Sequence, residues 1–287
     1  MESGLRPGGA PPAPPYPPHG GSTSGGAGTP LIGIVDYGMG NRRSVEKALE
    51  HVGARARLTD DHDVLRAADG LVVPGVGAFP EAMRRLDASG LADLIRERVA
   101  ADTPTLGVCL GMQLAFDRST ELGGSPGLGI VPGEVRELAA DALKVPHIGW
   151  SPVRWRAASP PACPTRARTR RHGRLLDGLP DEPAFYHVHS YVAVPADPAD
   201  WLGTAEYGER FVSAVARGSF WGVQFHPEKS STLGLRLLAN FAAICQADAD
   251  AAADAAAEAE ADAEAEAEAE DTATAAAAAA RSGAQAA

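Results

Sequence analysis

The feature that most constrains this chain is an alternation between residues 31 and 116 of short strand-like runs with stretches of helical periodicity. Leu31-Ile32-Gly33-Ile34-Val35-Asp36 opens it, an almost fully apolar run bounded by turn residues. Such a run reads as a strand covered on both faces. A loop, Tyr37-Gly38-Met39-Gly40-Asn41, leads into a helix over 42–52, with Val45, Ala48, Leu49 and Val52 on one face. Ala54–Leu58 is a second strand, and Gly70-Leu71-Val72-Val73 a third, ending in Pro74-Gly75-Val76-Gly77. Residues 79–101 predict two helices broken near Ser89-Gly90. Thr105-Leu106-Gly107-Val108 is a fourth strand, with a helix starting over 111–116. Strands and helices in this order imply βαβ units and a mostly parallel sheet.

The second half changes character. Short candidate strands at 145–150, 184–187, 191–194, 201–206, 211–216 and 221–225 are separated by Gly, Pro and Asp, and several are expected to pair antiparallel. A helix from Thr232 to about Gln246 closes the domain, its apolar side formed by Leu235, Leu238, Phe241, Ala242 and Cys245. The expectation is one α/β domain over residues 31–245, a mostly parallel central sheet flanked by helices, with antiparallel strands added. About 215 residues suffice for a well-buried core of that kind.

Both ends and one internal stretch stand apart from this core. Residues 1–30 are mostly Pro, Gly, Ser and Ala, too poor in apolar groups to offset their ordering entropy, and read as a disordered leader or as a start codon assigned too early. Residues 157–173 carry Cys163 and then Arg166, Arg168, Arg170 and Arg171, and read as an exposed insertion loop. Residues 246–287 hold eleven acids against the single base Arg281, so the tail accounts for −10 of the net charge of −11. The body is near neutral, and nothing marks a nucleic-acid or membrane surface. Acids at period two would surround a helix, so the tail is disordered or a solvated helix, not core.

Three cysteines, Cys109, Cys163 and Cys245, make no disulfide framework, and the histidines lack metal-ligand spacing. With no signal-peptide pattern at the N-terminus and no long apolar run, a cytoplasmic protein without metal or cofactor is expected.

Gly107-Val108-Cys109-Leu110-Gly111 sits where a buried strand turns into a helix. It is the thiol counterpart of the Gly-x-Ser-x-Gly elbow, in which a tight turn projects the nucleophile above the sheet. A helix start favours thiolate, and the N–H of Leu110 is set to meet a developing oxyanion. Cys163 in the loop and Cys245 on a helix face read as ordinary cysteines. His226-Pro227-Glu228 follows the strand at 221–225. Residues i and i+2 of an extended chain face the same way, so Glu228 can orient the His226 imidazole and complete a nucleophile–base–acid set with Cys109. His51 and His62 read as solvated. His147 and His189 sit in ordered contexts that suit either a site or a structural role.

These motifs together resemble the class I glutamine amidotransferases. Four further segments narrow the resemblance to the glutaminase subunits (HisH) of imidazole glycerol phosphate synthase: Ile34-Val35-Asp36-Tyr37-Gly38-Met39-Gly40-Asn41, Leu71-Val72-Val73-Pro74-Gly75-Val76-Gly77-Ala78-Phe79, Lys144-Val145-Pro146-His147-Ile148-Gly149-Trp150 and Val223-Gln224-Phe225-His226-Pro227-Glu228-Lys229-Ser230. The resemblance covers roughly 31–155 and 175–245. It implies hydrolysis of L-glutamine through a thioester on Cys109, with an oxyanion hole from Val76, Gly77 and Leu110. It implies substrate contacts from Gln113 and Glu121. It implies a heterodimer with a (β/α)₈ cyclase subunit, which uses the ammonia to make imidazole glycerol phosphate and aminoimidazole carboxamide ribonucleotide in histidine biosynthesis. Asn41, His147, Tyr186 and Lys229 fall in segments expected near that subunit. His187 departs from the family, which has an aromatic residue there. The competing readings are a glutaminase serving anthranilate or purine synthesis, and a non-catalytic subunit of the same fold.

Overall fold

The computed structural model describes residues 28–140, 142–156 and 173–284, with side chains through 263. The expectations for the leader (but for its last three residues), the 157–173 insertion (but for Gly173) and Cys163 lie outside the described residues. In the first half the elements are β1 (Leu31–Val35), α1 (Arg42–His51), β2 (Arg55–Thr59), α2 (His62–Ala67), β3 (Gly70–Gly75), α3 (Phe79–Ala88), α4 (Leu91–Ala100), β4 (Thr105–Cys109) and α5 (Leu110–Leu114). Helix α2 is an addition to the sequence reading. The Asp61 carboxylate caps it by accepting from the N–H groups of Asp63 and Val64. The helix expected over 111–116 stops at Leu114, and Phe116 opens a strand instead, β5 (Phe116–Ser119).

The chain continues through β6 (Ser125–Pro126), β7 (Val131–Glu137), β8 (His147–Pro152), β9 (Arg154–Trp155), β10 (Ala184–His189), β11 (Tyr191–Pro195), β12 (Trp201–Tyr207), β13 (Glu209–Arg217) and β14 (Phe220–Val223), and ends in α6 (Ser231–Ala284). Strands β2-β1-β3-β4-β14 lie side by side and all pair parallel. From β14 the same sheet continues antiparallel through β13, β11 and β7. Strands β8 and β10 form a separate antiparallel ribbon.

Alternation along the parallel strands divides the core. Ile32, Ile34, Val72, Leu106 and Val108 face α1 and the first turns of α6, where Leu237, Leu238, Phe241 and Ile244 are fully buried. Val35, Leu71 and Val73 face Phe79, Met83, Leu86, Leu91 and Ile95 of α3 and α4. A strand with helices on both faces needs apolar side chains on both, which is why these runs read as continuous rather than alternating hydrophobics. Among the described residues no helix is long and apolar enough to cross a membrane.

Helix α6 runs well past its expected end near Gln246. Its side chains at 251–263 are exposed. Alanine's propensity carries the helix onward without a packing face.

Candidate active site

The register of the parallel strands brings three chain reversals together. Gly75 at the end of β3 pairs with Cys109 at the end of β4, and Val223 at the end of β14 pairs with Val108. The carboxyl ends of adjacent parallel strands are where α/β sheets build crevices.

Cys109 turns the chain at φ 54° and ψ −110°, a backbone conformation that L residues rarely adopt. Close packing imposes it. A Cβ on Gly111 would lie 1.7 Å from the carbonyl oxygen of Val73, and one on Gly107 would lie 2.7 Å from that of Gly111. Both glycines of the elbow are therefore steric necessities. The loop after β3 is held as tightly. The Tyr37 hydroxyl donates to the Pro74 carbonyl at 2.7 Å, and a Cβ on Gly75 would strike that hydroxyl. Burial, and then a negative charge at Cys109, raise the Tyr37 pKa, so it stays a neutral donor. Helix α5 has five residues, so its dipole is a smaller support for a thiolate than the sequence suggested.

The facing wall comes from β14 and the turn after it. The backbone N–H of His226 donates to the Tyr186 carbonyl at 2.9 Å, and the Ser230 hydroxyl donates to the His226 carbonyl at 2.7 Å. Glu228 reaches His226 by a route other than the expected extended chain. Pro227–Lys229 is a 3₁₀ turn, closed by the Lys229 N–H on the His226 carbonyl at 3.0 Å. The turn folds the Glu228 carboxylate back to His226 Nδ1 at 3.0 Å, with the two side chains 1% and 4% exposed. Burial alone would lower the His226 pKa. Hydrogen bonds to the Cys109 sulfur and to Glu228, with the charges of both, outweigh burial and raise it to about 10. The imidazolium form of His226 is thus favoured in this site.

A cleft of about 290 Å³ opens between the two walls. Val76, Gly77, Cys109, Leu110, Gln113, Glu121 and His226 all line it, and Glu228 stands behind His226. Gln113 commits its amide nitrogen inside the protein, donating to the Tyr191 carbonyl at 3.0 Å and to Gln224 Oε1 at 2.9 Å. What it offers the cleft is an acceptor oxygen. Glu121 accepts the Phe79 N–H on one oxygen at 2.8 Å.

His189, which also lines the cleft, belongs to a buried trio with His147 and His187. Its Nδ1 meets the Tyr191 carbonyl at 3.0 Å, so that nitrogen carries the proton and Nε2 accepts from His147 Nδ1 at 3.1 Å. His147 Nε2 then accepts from the Ser151 hydroxyl at 3.0 Å. Burial and the neighbouring His147 and His226 charges hold the His189 pKa at about 3, and burial lowers that of His147. All three rings are neutral. His187 takes the place of the expected aromatic residue as a fully buried ring, stacked on His147 at 5.1 Å and edge-on to Phe211 and Phe225.

His147 is 1% exposed, which removes it from any outer contact surface. In its segment Ile148 and Trp150 point outward instead, because side chains alternate along β8. Residues that sequence reasoning passed over are Tyr37, Gln224 and Ser230. All three lie in segments already singled out, but their partners are distant in sequence.

Residues 33–245 match the family model for class I glutamine amidotransferases. The chain is 46% identical over 213 residues to the imidazole glycerol phosphate synthase subunit HisH of Moorella thermoacetica, covering 74% of this chain and 94% of that one. It is 47% identical over 220 residues to the HisH subunit of Aromatoleum aromaticum, covering 73% and 96%. Among solved structures it is similar in fold to a glutamine amidotransferase, with a TM-score of 0.56 at 20% identity, covering 75% of this chain and 98% of the other. One chain in the structure of PurLQS from Thermotoga maritima is similar in fold at a TM-score of 0.55 and 14% identity, covering 76% and 97%.

Proposed function

This chain belongs to the class I glutamine amidotransferases, within the HisH subunits of imidazole glycerol phosphate synthase, and from that premise we propose that Cys109, His226 and Glu228 carry out its glutaminase reaction. The chain serves histidine biosynthesis as one subunit of a two-part enzyme. The observation that carries the mechanism is Glu228 bonded to His226 Nδ1 at 3.0 Å, with His226 and Cys109 lining the same cleft.

The Cys109 thiolate attacks the side-chain amide carbon of glutamine. The N–H groups of Leu110 and of the Val76-Gly77 loop receive the oxyanion that forms. His226 gives its proton to the departing nitrogen, ammonia leaves, and a thioester remains. Neutral His226 then takes a proton from water, hydroxide adds to the thioester, and collapse releases glutamate and restores the thiolate–imidazolium pair. Glu228 holds the ring's tautomer and faces its positive charge. The acceptor oxygen of Gln113 and the carboxylate of Glu121 suit the α-ammonium of the substrate.

The partner we propose is a (β/α)₈ cyclase. Free ammonia is mostly protonated at neutral pH, and ammonium is no nucleophile, so a sheltered transfer to an adjoining subunit keeps it reactive. Ile148 at 58% and Trp150 at 54% exposure, with Tyr186 packed against Trp150, support a docking face on the β8–β10 ribbon. Cys109→Ala is expected to lower glutamine hydrolysis by about 10⁴-fold or more while the fold and partner binding persist. Full activity in that variant overturns the mechanism. Ammonia release is expected to rise when the cyclase and its ribonucleotide are added, and no rise overturns the choice of partner.

A further inference from the structure

The Cys109 sulfur has two further polar neighbours besides His226. Gln224 is fully buried one residue beyond β14, and its Nε2 lies 3.7 Å from the sulfur, within reach of a hydrogen bond to so large an acceptor. A side-chain amide can be turned end for end, so which atom faces the sulfur must be settled by its other partners. Here a fixed acceptor settles it. The Tyr191 carbonyl can only accept, so the group of Gln113 that meets it is the NH₂. The same NH₂ reaches Gln224 at 2.9 Å, so the Gln224 atom there is the oxygen. The NH₂ of Gln224 is then left facing Cys109. The His189 Nδ1–H donates to that same Tyr191 carbonyl, which holds the anchor on a second side.

Opposite this donor stands a carbonyl. The sulfur also lies 3.7 Å from the oxygen of Val188, which accepts the thiol proton but repels a thiolate. The surroundings of the sulfur are therefore uneven, one neighbour favouring thiol and others favouring thiolate. Charge-assisted hydrogen bonds are about twice as strong as neutral ones, so an N–H aimed at the sulfur favours the charged form.

Resting on the triad reading above, we propose that Gln224 is a further catalytic residue, an N–H donor to the Cys109 thiolate whose aim is set by Gln113 and the Tyr191 carbonyl. It acts twice in the cycle. It stabilises the thiolate before attack, and again when that sulfur leaves the thioester.

The test is Gln224→Met in the full chain, which keeps length and bulk but removes the N–H and the oxygen that Gln113 meets, leaving Gln113 its bond to the Tyr191 carbonyl. Alkylation of Cys109 by iodoacetamide, followed against pH, is expected to move its midpoint up by about one pH unit, with kcat about tenfold lower and KM for glutamine within about twofold. A role confined to bracing Gln113 predicts the reverse. KM would rise while the alkylation profile stays in place, and that result overturns the proposal. If Gln224→Met does not fold, the side-chain amide resonance of Gln224 in the natural chain decides. It should titrate together with Cys109 and stay still in Cys109→Ala, and a resonance that ignores the sulfur overturns the proposal equally. A natural chain that is not alkylated at Cys109 at any pH, with activity intact in Cys109→Ala, would instead refute the triad itself.

Discussion

The two walls of the cleft are built on different physical principles. On the nucleophile wall, backbone packs on backbone. Gly111 lies against the Val73 carbonyl, Gly107 lies against Gly111, and Cys109 is held at a positive φ by neighbours that leave no alternative. On the opposite wall, side chains are held by hydrogen bonds. Glu228 grips His226, and His147 and His189 fix each other's tautomers. The difference teaches where each wall tolerates change. Steric placement is all or none at the scale of one methyl group, whereas a hydrogen-bonded placement loses function in steps and responds to pH.

The harshest trial of that contrast is Gly111→Ala. Its Cβ would sit 1.7 Å from the Val73 oxygen, so strand and elbow cannot both stay in place. A loss of more than about 4 kcal/mol in chemical denaturation is expected, together with loss of glutaminase activity. A variant within about 1 kcal/mol of the natural chain would show that the nucleophile wall yields as the other does.

On the hydrogen-bonded wall Glu228→Gln should leave the fold intact and lower kcat by about 10²- to 10⁴-fold. The sign of its pH effect comes from His226. Its folded pKa of about 10 lies above the ordinary 6.5, so the proton stabilises the folded chain below 6.5 and that support fades as pH rises toward 10. The variant loses one of the groups that raise the value. Its stability deficit should therefore shrink between pH 6.5 and 10, and an NMR titration should find the His226 midpoint lowered. A deficit that grows over that range would contradict the assignment.

The mildest change expected is His187→Phe. His187 is buried neutral, its pKa held well below 6.5 chiefly by burial and then by His189, so acid favours the unfolded chain, which binds the proton. The ring sits among aromatic neighbours that accept phenylalanine, but the Ser213 hydroxyl would lose the Nε2 acceptor that it meets at 2.9 Å. A cost of about 1 kcal/mol at neutral pH is expected, with stability falling less steeply below pH 6.5. An unchanged acid slope would mean that His187 does not titrate with unfolding.

Much of the parallel half was legible in the sequence because its signals are local. Buried strands read as apolar runs, the two helices over 79–100 carry helical periodicity, and their break falls at Ser89-Gly90, where Gly90 adopts a left-handed conformation. The elbow was legible because its glycines and cysteine are adjacent in the chain. Less was legible where distant partners decide. Phe116 leaves the helix to pair with Val131. The route from His226 to Glu228 is a turn set by Pro227, not an extended chain. His147 faces inward, where its Nδ1–H donates to His189 across the ribbon.

Taken alone, the sequence determined the kind of domain, the family, and which residue types sit at the ends of β3, β4 and β14. Those come from periodicity and from short motifs, where the interacting groups are a few residues apart. Only the tertiary structure decided how the sulfur is surrounded: an imidazolium on one side, the Val188 carbonyl on another, and the Gln224 amide aimed by Gln113 and Tyr191. Hydrogen-bond direction depends on what stands opposite each atom, and the pairs linking Val188, Tyr191, Gln113, Gln224 and the sulfur lie 78 to 115 residues apart.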